Sequence, residues 1–303
     1  MFVPAATIPA ATGTTDVRNA VSNTAFARVV ALESYASATA WSLTAEANFR
    51  PVQRVLADVG YAWSRARDNS AYGCCLALTA TRSTPVAQDP RDLSSSWAAS
   101  DLDARHRVVG TGVLIAPWGI EMAVRYRGQS GRPFSLVVDC DINGDEATGD
   151  DLAFLFDPEN PATDATVAAS MRKLLANPSD VAAEYVRAHV GAISSRNAIY
   201  TPWTHRVDMQ MLKSLRVAGR TNISVTVDLF NVGHLLNKDW GAQFLLPPGI
   251  SSQSPVVNRI GLRRVTGFDQ ATKRYKYSVN ESAGVLSKTA DPYQAQLGSK
   301  VGW

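Results

Sequence analysis

The densest group of oxygen donors in the sequence is Asp139, Asp141, Asn143 and Asp145, with Gly144 inside the run and Asp150 at the twelfth place. An EF-hand-type calcium loop spaces its donors in this way, because the hard cation takes several oxygens and a glycine permits the sharp turn. The terminal donor here is aspartate, one methylene shorter than the usual glutamate, and no helical pattern leads into the loop. Two readings stand side by side: a Ca2+ site, or an acidic and solvated loop. The histidines are His106, His189, His205 and His234. They show no HExxH or HxxxH spacing and no accompanying GxSxG, which points away from a hydrolase and from an enzyme in general. His106 and His205 fit better as polar residues facing a lumen or an interface. The cysteines are Cys74, Cys75 and Cys140, with no CxxC pair and so no zinc spacing. Adjacent cysteines rarely bond each other. A bond from one of them to Cys140 and unpaired loop thiols are both open.

The elements that must position these residues read as strands. Thr221 to Leu229 is the clearest: Ile223, Val225, Val227 and Leu229 fall on one face, Asn222, Ser224, Thr226 and Asp228 on the other. Ile120, Met122, Val124 and Tyr126 likewise oppose Glu121, Arg125 and Arg127. Trp203, Val207, Met209 and Met211 oppose Thr204, Arg206, Asp208 and Gln210. Trp41, Leu43 and Phe49 oppose Ser42, Thr44, Glu46 and Asn48, and Val55, Val59, Tyr61 and Trp63 oppose Arg54, Asp58 and Ser64. The polar faces hold full charges, as the wet interior of a barrel with lipid outside requires. Aromatics cluster near strand ends on the apolar face, where an interfacial belt would place them. The charges Arg125, Arg127, Arg206 and Asp208 then face the lumen, as wall charges pairing with a plug or as a substrate filter.

With 303 residues, net charge +3 and scattered basic residues, nothing suggests a nucleic-acid partner. Mean hydropathy is −0.09, and no run approaches the roughly 20 apolar residues of a membrane-spanning helix. Near-average hydropathy is what alternating barrel strands produce. Met1 to Thr15 lacks the basic start and apolar run of a secretory signal.

Strands are expected at about 24–33, 37–50, 53–66, 103–116, 119–130, 203–216, 220–232 and 292–303, with residues 1–21 irregular. Short connections (Arg50–Gln53, Ala116–Gly119, Ala218–Arg220) alternate with long ones at about 67–102, 132–202 and 233–291, the asymmetry of periplasmic turns and outer loops. Thr163 to Val190 carries a helical pattern split by Pro178, which either lines a binding mouth or folds its loop over. The last strand sets Tyr293, Leu297, Val301 and the terminal Trp303 on one face, like the C-terminal signal by which outer-membrane barrels are recognised for insertion. The fold class is therefore all-β, an antiparallel transmembrane β-barrel fragment with long outer loops. The alternatives are a passive channel or small structural barrel, and after those a soluble β-rich binding protein.

Five segments carry a resemblance: DARHRVVGTG (Asp103 to Gly112), RYRGQSGRPFS (Arg125 to Ser135), DINGDEATGDDL (Asp141 to Leu152), RNAIYTPW (Arg196 to Trp203) and DLFNVGHLLNKDWG (Asp228 to Gly241). In this order and spacing the chain, from about Phe26 to Trp303, resembles the C-terminal barrel of TonB-dependent outer-membrane receptors of the Oar-like group, which carry a carboxypeptidase-regulatory-like domain. The resemblance implies about eight strands of a roughly 22-stranded barrel closed by a plug that lies outside this sequence. It also implies the partners: outer-membrane lipid, the TonB complex acting through that plug, the barrel-assembly machinery, and a small-molecule or peptide ligand held by the outer loops. Eight strands of a wide barrel leave edges that cannot remain bare in lipid. The resemblance thus points to the closing end of a barrel, unable to transport alone.

Overall fold

The computed structural model describes residues 4–14, 23, 25, 36–70, 86, 92–143, 148–218, 221–246 and 258–302. Alternating segments pair with their neighbours into one antiparallel wall. In chain order these are β1 (Ala38–Val52), β2 (Val55–Asp68), the two-residue β3 (Ala98–Ala99) on the end of β2, β4 (His106–Ala116) and β5 (Ile120–Gln129). The chain then leaves the wall for β6 (Pro133–Val138), helices α1 (Ala165–Ala176) and α2 (Ala183–Ala188), and β7 (Ile199–Tyr200). It returns in β8 (Thr204–Ala218) and β9 (Thr221–Phe230), leaves again through β10 (Ala242–Leu245), β11 (Arg259–Asp269), β12 (Arg274–Val279) and β13 (Ser287–Ala290), and closes with β14 (Gln294–Gly302). The order across the wall is β1-β2-β4-β5-β8-β9-β14. The expected strand at 24–33 falls on residues outside the described ones, 25 excepted, and Trp303 lies outside them too.

Register carries the two faces across the wall. Val55, Leu114, Met122, Met211, Val227 and Leu297 are successive partners, so one apolar row runs from β2 to β14. One position along, Ala123, Gln210, Asp228 and Gln296 form the matching row on the other face. That inner face is less pure than the sequence alternation suggests, since Val109, Val113 and Ile115 also fall on it. The wall has no core of its own: among the described residues every buried hydrophobic lies off it. Its large side chains stand open instead, Trp41 at 72% exposed and Leu297 at 76%. In water, contiguous apolar surface of this extent is a liability. Against hydrocarbon it is the solvated state.

The strands have lengths that suit a bilayer. A tilted crossing takes about 9–11 residues; β4, β5, β9 and β14 have 11, 10, 10 and 9, and the 14- and 15-residue strands β2, β1 and β8 continue beyond it. One end has tight turns. At that between β4 and β5, Trp118 and Gly119 both take left-handed backbone (φ 65° and 67°), and Trp118 is 82% exposed. No helix among the described residues is long and apolar enough to cross a membrane.

The long connections at the other end differ from plain loops carrying one helix: they build a cap with its own core. Strands β12, β11, β6 and β7 form a sheet in that order, with β6 and β11 parallel. Helix α1 begins where Asp164 Oδ1 accepts hydrogen bonds from the backbone N–H groups of Thr166 and Val167, the usual N-cap arrangement. It buries Val167, Met171 and Leu174 against Phe134, Leu136 and Leu262. The expected helical stretch is therefore two helices on either side of Pro178, and α1 packs on the cap sheet. Residues 4–14 join the cap: Ile8 is buried against Phe268, and Ala10 O accepts from Phe268 N–H at 3.0 Å.

Candidate functional site

The outer end of the wall carries a continuous aromatic row on the apolar face. Tyr61 stacks on His106, His106 on Trp203 (5.7 Å between centroids), Trp203 on His205 (6.0 Å), and His205 meets both Tyr126 and Trp240. Two equivalent hydrogen bonds tie it together, Tyr61 Oη to His106 Nδ1 at 2.7 Å and Tyr126 Oη to His205 Nδ1 at 2.8 Å. Each joins a tyrosine to the residue facing the position two further along its strand, Trp63 in one case and Gly128 in the other. Gly128 matters because the Tyr126 ring lies over it: an added Cβ would sit 2.5 Å from the phenol oxygen. Rings with one wet polar atom suit the headgroup level of a membrane, and the histidines serve this belt.

On the inner face, just below the cap, lies a cleft of about 950 Å3. Arg107, Arg127 and Arg206 rise from β4, β5 and β8, Arg132 comes from the start of the cap, and Phe244 and Leu245 of β10 form the roof. Arg127 stands directly opposite Arg206, a repulsive placement for like charges. Asp208 relieves it, accepting from Arg127 Nη2 at 3.1 Å, from Arg206 Nε at 2.8 Å and from the Asn231 backbone N–H at 2.9 Å. Asn231 turns left-handed (φ 52°) at the end of β9 and donates through Nδ2 to Asp291 O. Its side chain fills the space beside Gly241, where a Cβ would fall 2.0 Å from Asn231 Nδ2.

The cap is fixed to the wall by a buried polar joint. Arg196 donates to the backbone carbonyls of Asp68 (2.8 Å) and Ser96 (3.0 Å) and pairs with the Asp68 carboxylate. Asn197 Nδ2 donates to Ala99 O and to Asp101 Oδ1, and Asn258 Nδ2 donates to Asp101 O. Tyr200 Oη donates to Asp103 Oδ2, beneath the Arg105 guanidinium. Burial pushes the Tyr200 phenol up to about 12 and raises the Asp101 carboxyl. Deeper in the cap Arg263 lies between Phe156 and Tyr277, 5.0 and 4.4 Å from their centroids, and burial lowers it to about 10.

A family model described as an outer membrane beta barrel domain matches residues 3–238. The chain belongs to that family. No curated protein and no solved structure matches it. Membership places the chain in the bacterial outer membrane, and the apolar face of the wall is accordingly its lipid face.

The other expected sites of this outer-membrane barrel are dispersed. In the acidic loop, Asp151, the residue after the expected twelfth-place donor, closes the turn: it accepts from Ile142 N–H at 3.0 Å and Asn143 Nδ2 at 2.9 Å. Asp150 is buried, with Arg259 acting on it as a neighbouring charge. Gly144 and Asp145 lie outside the described residues, and among the described residues no three His, Cys, Asp or Glu side chains gather as a metal site. Cys140 is half-buried and unbonded, its thiol raised by burial, while Cys74 and Cys75 are outside the described residues. Tyr293, Leu297 and Val301 are exposed at 54%, 76% and 52% on the lipid side. Spacing in the sequence gives no sign of the cleft, because Arg107, Arg132 and Leu245 line one space only in the folded chain.

Proposed function

We propose that the protein is the closing segment of the barrel of a TonB-dependent receptor, taking up a ligand through the outer cleft for energy-coupled import. The observation that carries this reading is the cleft: it opens on the polar, inner face of the wall at the end where the cap stands. A receptor needs a binding mouth there. A purely structural barrel needs none. The wall supports a wide barrel over a small one, because β1 and β14 end the sheet without pairing with each other among the described residues. Bare strand edges are not stable in lipid, so both edges take further strands in this reading. The role is passage and binding, not catalysis, with assembly through the barrel-assembly machinery. Uptake by cells carrying the protein should cease when TonB is removed. Uptake that continues without TonB would replace the receptor with a passive channel.

A further inference from the structure

We infer that the outer cleft takes an anionic ligand, one bearing a carboxylate or phosphate on an apolar body, and that Arg107 and Arg132 are its principal contacts. The inference rests on reading the cleft as the ligand mouth and adds the chemical class. Four arginines line it, and the carboxylates beside it are Asp208, which joins Arg127 and Arg206, and Asp291. The cleft therefore holds excess positive charge. Asp208 is committed: both its oxygens are occupied, and the Asn231 N–H adds a third donor. Among the described residues the guanidinium groups of Arg107 and Arg132 have no carboxylate partner. Both are exposed and line the same concave space.

Guanidinium is the side chain whose fork matches carboxylate and phosphate two bonds at a time. A concave site lined by one sign of charge also concentrates counter-ions at its mouth. The cleft also has an apolar lining, with Phe244, Leu245 and Leu246. An ion alone would leave that surface wet. An anion with an aromatic or aliphatic body would cover it, and removing apolar surface from water favours binding. Arg127 and Arg206, fixed by Asp208, contribute field more than contact.

The probes are 4-fluorophenyl phosphate, 4-fluorobenzoate and the neutral 4-fluorobenzyl alcohol, followed by fluorine NMR on the protein in lipid nanodiscs. At least one anion should bind, the alcohol at least tenfold more weakly, and the phosphate and carboxylate arms tell the two head groups apart. Arg107→Gln with Arg132→Gln should lower anion affinity at least tenfold with thermal stability unchanged. Arg216→Gln, on the same face at the far end of β8, should leave it intact. Absence of anion binding, equal binding of the alcohol, or binding unmoved by the double variant would overturn the inference. Uptake that still requires TonB alongside an anion-blind cleft would remove the ligand class and leave the receptor reading standing. Loss of TonB dependence with anion binding retained would do the reverse.

Discussion

Val124 and Ala123 are adjacent in β5, near the middle of the strand, and face opposite sides of the wall. Val124 lies on the apolar face between Gly112 and Met209, whereas Ala123 lies between Val113 and Gln210 on the inner face. An arginine on the lipid face at mid-depth costs about 2–4 kcal/mol. With 1.4 kcal/mol per decade, Val124→Arg should shift the folding equilibrium roughly 30- to 700-fold. Ala123→Arg enters a polar interior that already holds Arg125 and Arg127 and should cost under about 1 kcal/mol, the range of ordinary surface changes. The assay is urea-driven refolding into phospholipid vesicles, followed by tryptophan emission and by heat-dependent mobility on a gel. Equal penalties for the two variants, or a larger one for Ala123→Arg, would refute the assignment of faces.

Removing Arg196, 4% exposed, leaves the Asp68 carboxylate without its buried partner. Arg196→Ala should loosen the cap by about 3–5 kcal/mol, read as faster proteolysis of residues 148–164 with the wall still heat-modifiable. Gly128→Ala should push the Tyr126 ring off its hydrogen bond with His205 and destabilise by about 1–3 kcal/mol, more than Tyr126→Phe, which loses the bond alone; thermal melts in detergent compare them. Burial raises the carboxyls of Asp101 and Asp180 from 3.8. The folded cap therefore binds their protons at a higher pH than the unfolded chain does. Their contribution is fully present below 3.8 and is lost as pH rises through the raised values. Asp101→Asn should flatten that loss, and an unchanged slope in pH-dependent unfolding of the cap would remove Asp101 from the account.

The wall was legible because alternation is local. Except for β4, whose inner face also carries Val109, Val113 and Ile115, each long strand of the wall shows its two faces within its own residues, and the short-then-long connections pointed to the side of the membrane. The cap was not. Its central pairing joins Ser135 to Arg259 and Leu136 to Ile260 in parallel, across more than a hundred residues, and the continuous run Pro133 to Val138 has no period to read. The matched segments make sense only in three dimensions. DARHRVVGTG and RNAIYTPW supply Asp103, Arg196, Asn197 and Tyr200 to the joint, and DLFNVGHLLNKDWG supplies the Asn231–Gly241 closure. Spacing in sequence likewise favoured Asp150 as the closing donor of the acidic loop, whereas Asp151 holds that turn and Asp150 is buried with Arg259 as a neighbouring charge. Arg107 and Arg132 lie in DARHRVVGTG and RYRGQSGRPFS, but neither segment gives them a role by its spacing, which is why the cleft had no signal.

The central claim is that the wall crosses the membrane with one face in lipid. Nitroxide labels placed singly at residues 205 to 214 of β8 test it directly, with oxygen and a water-soluble nickel chelate as competing relaxation agents. Positions 207, 209 and 211 should be reached by oxygen and shielded from nickel, positions 206, 208 and 210 the reverse, in strict alternation. Uniform access to nickel, or an alternation of the opposite phase, would contradict it.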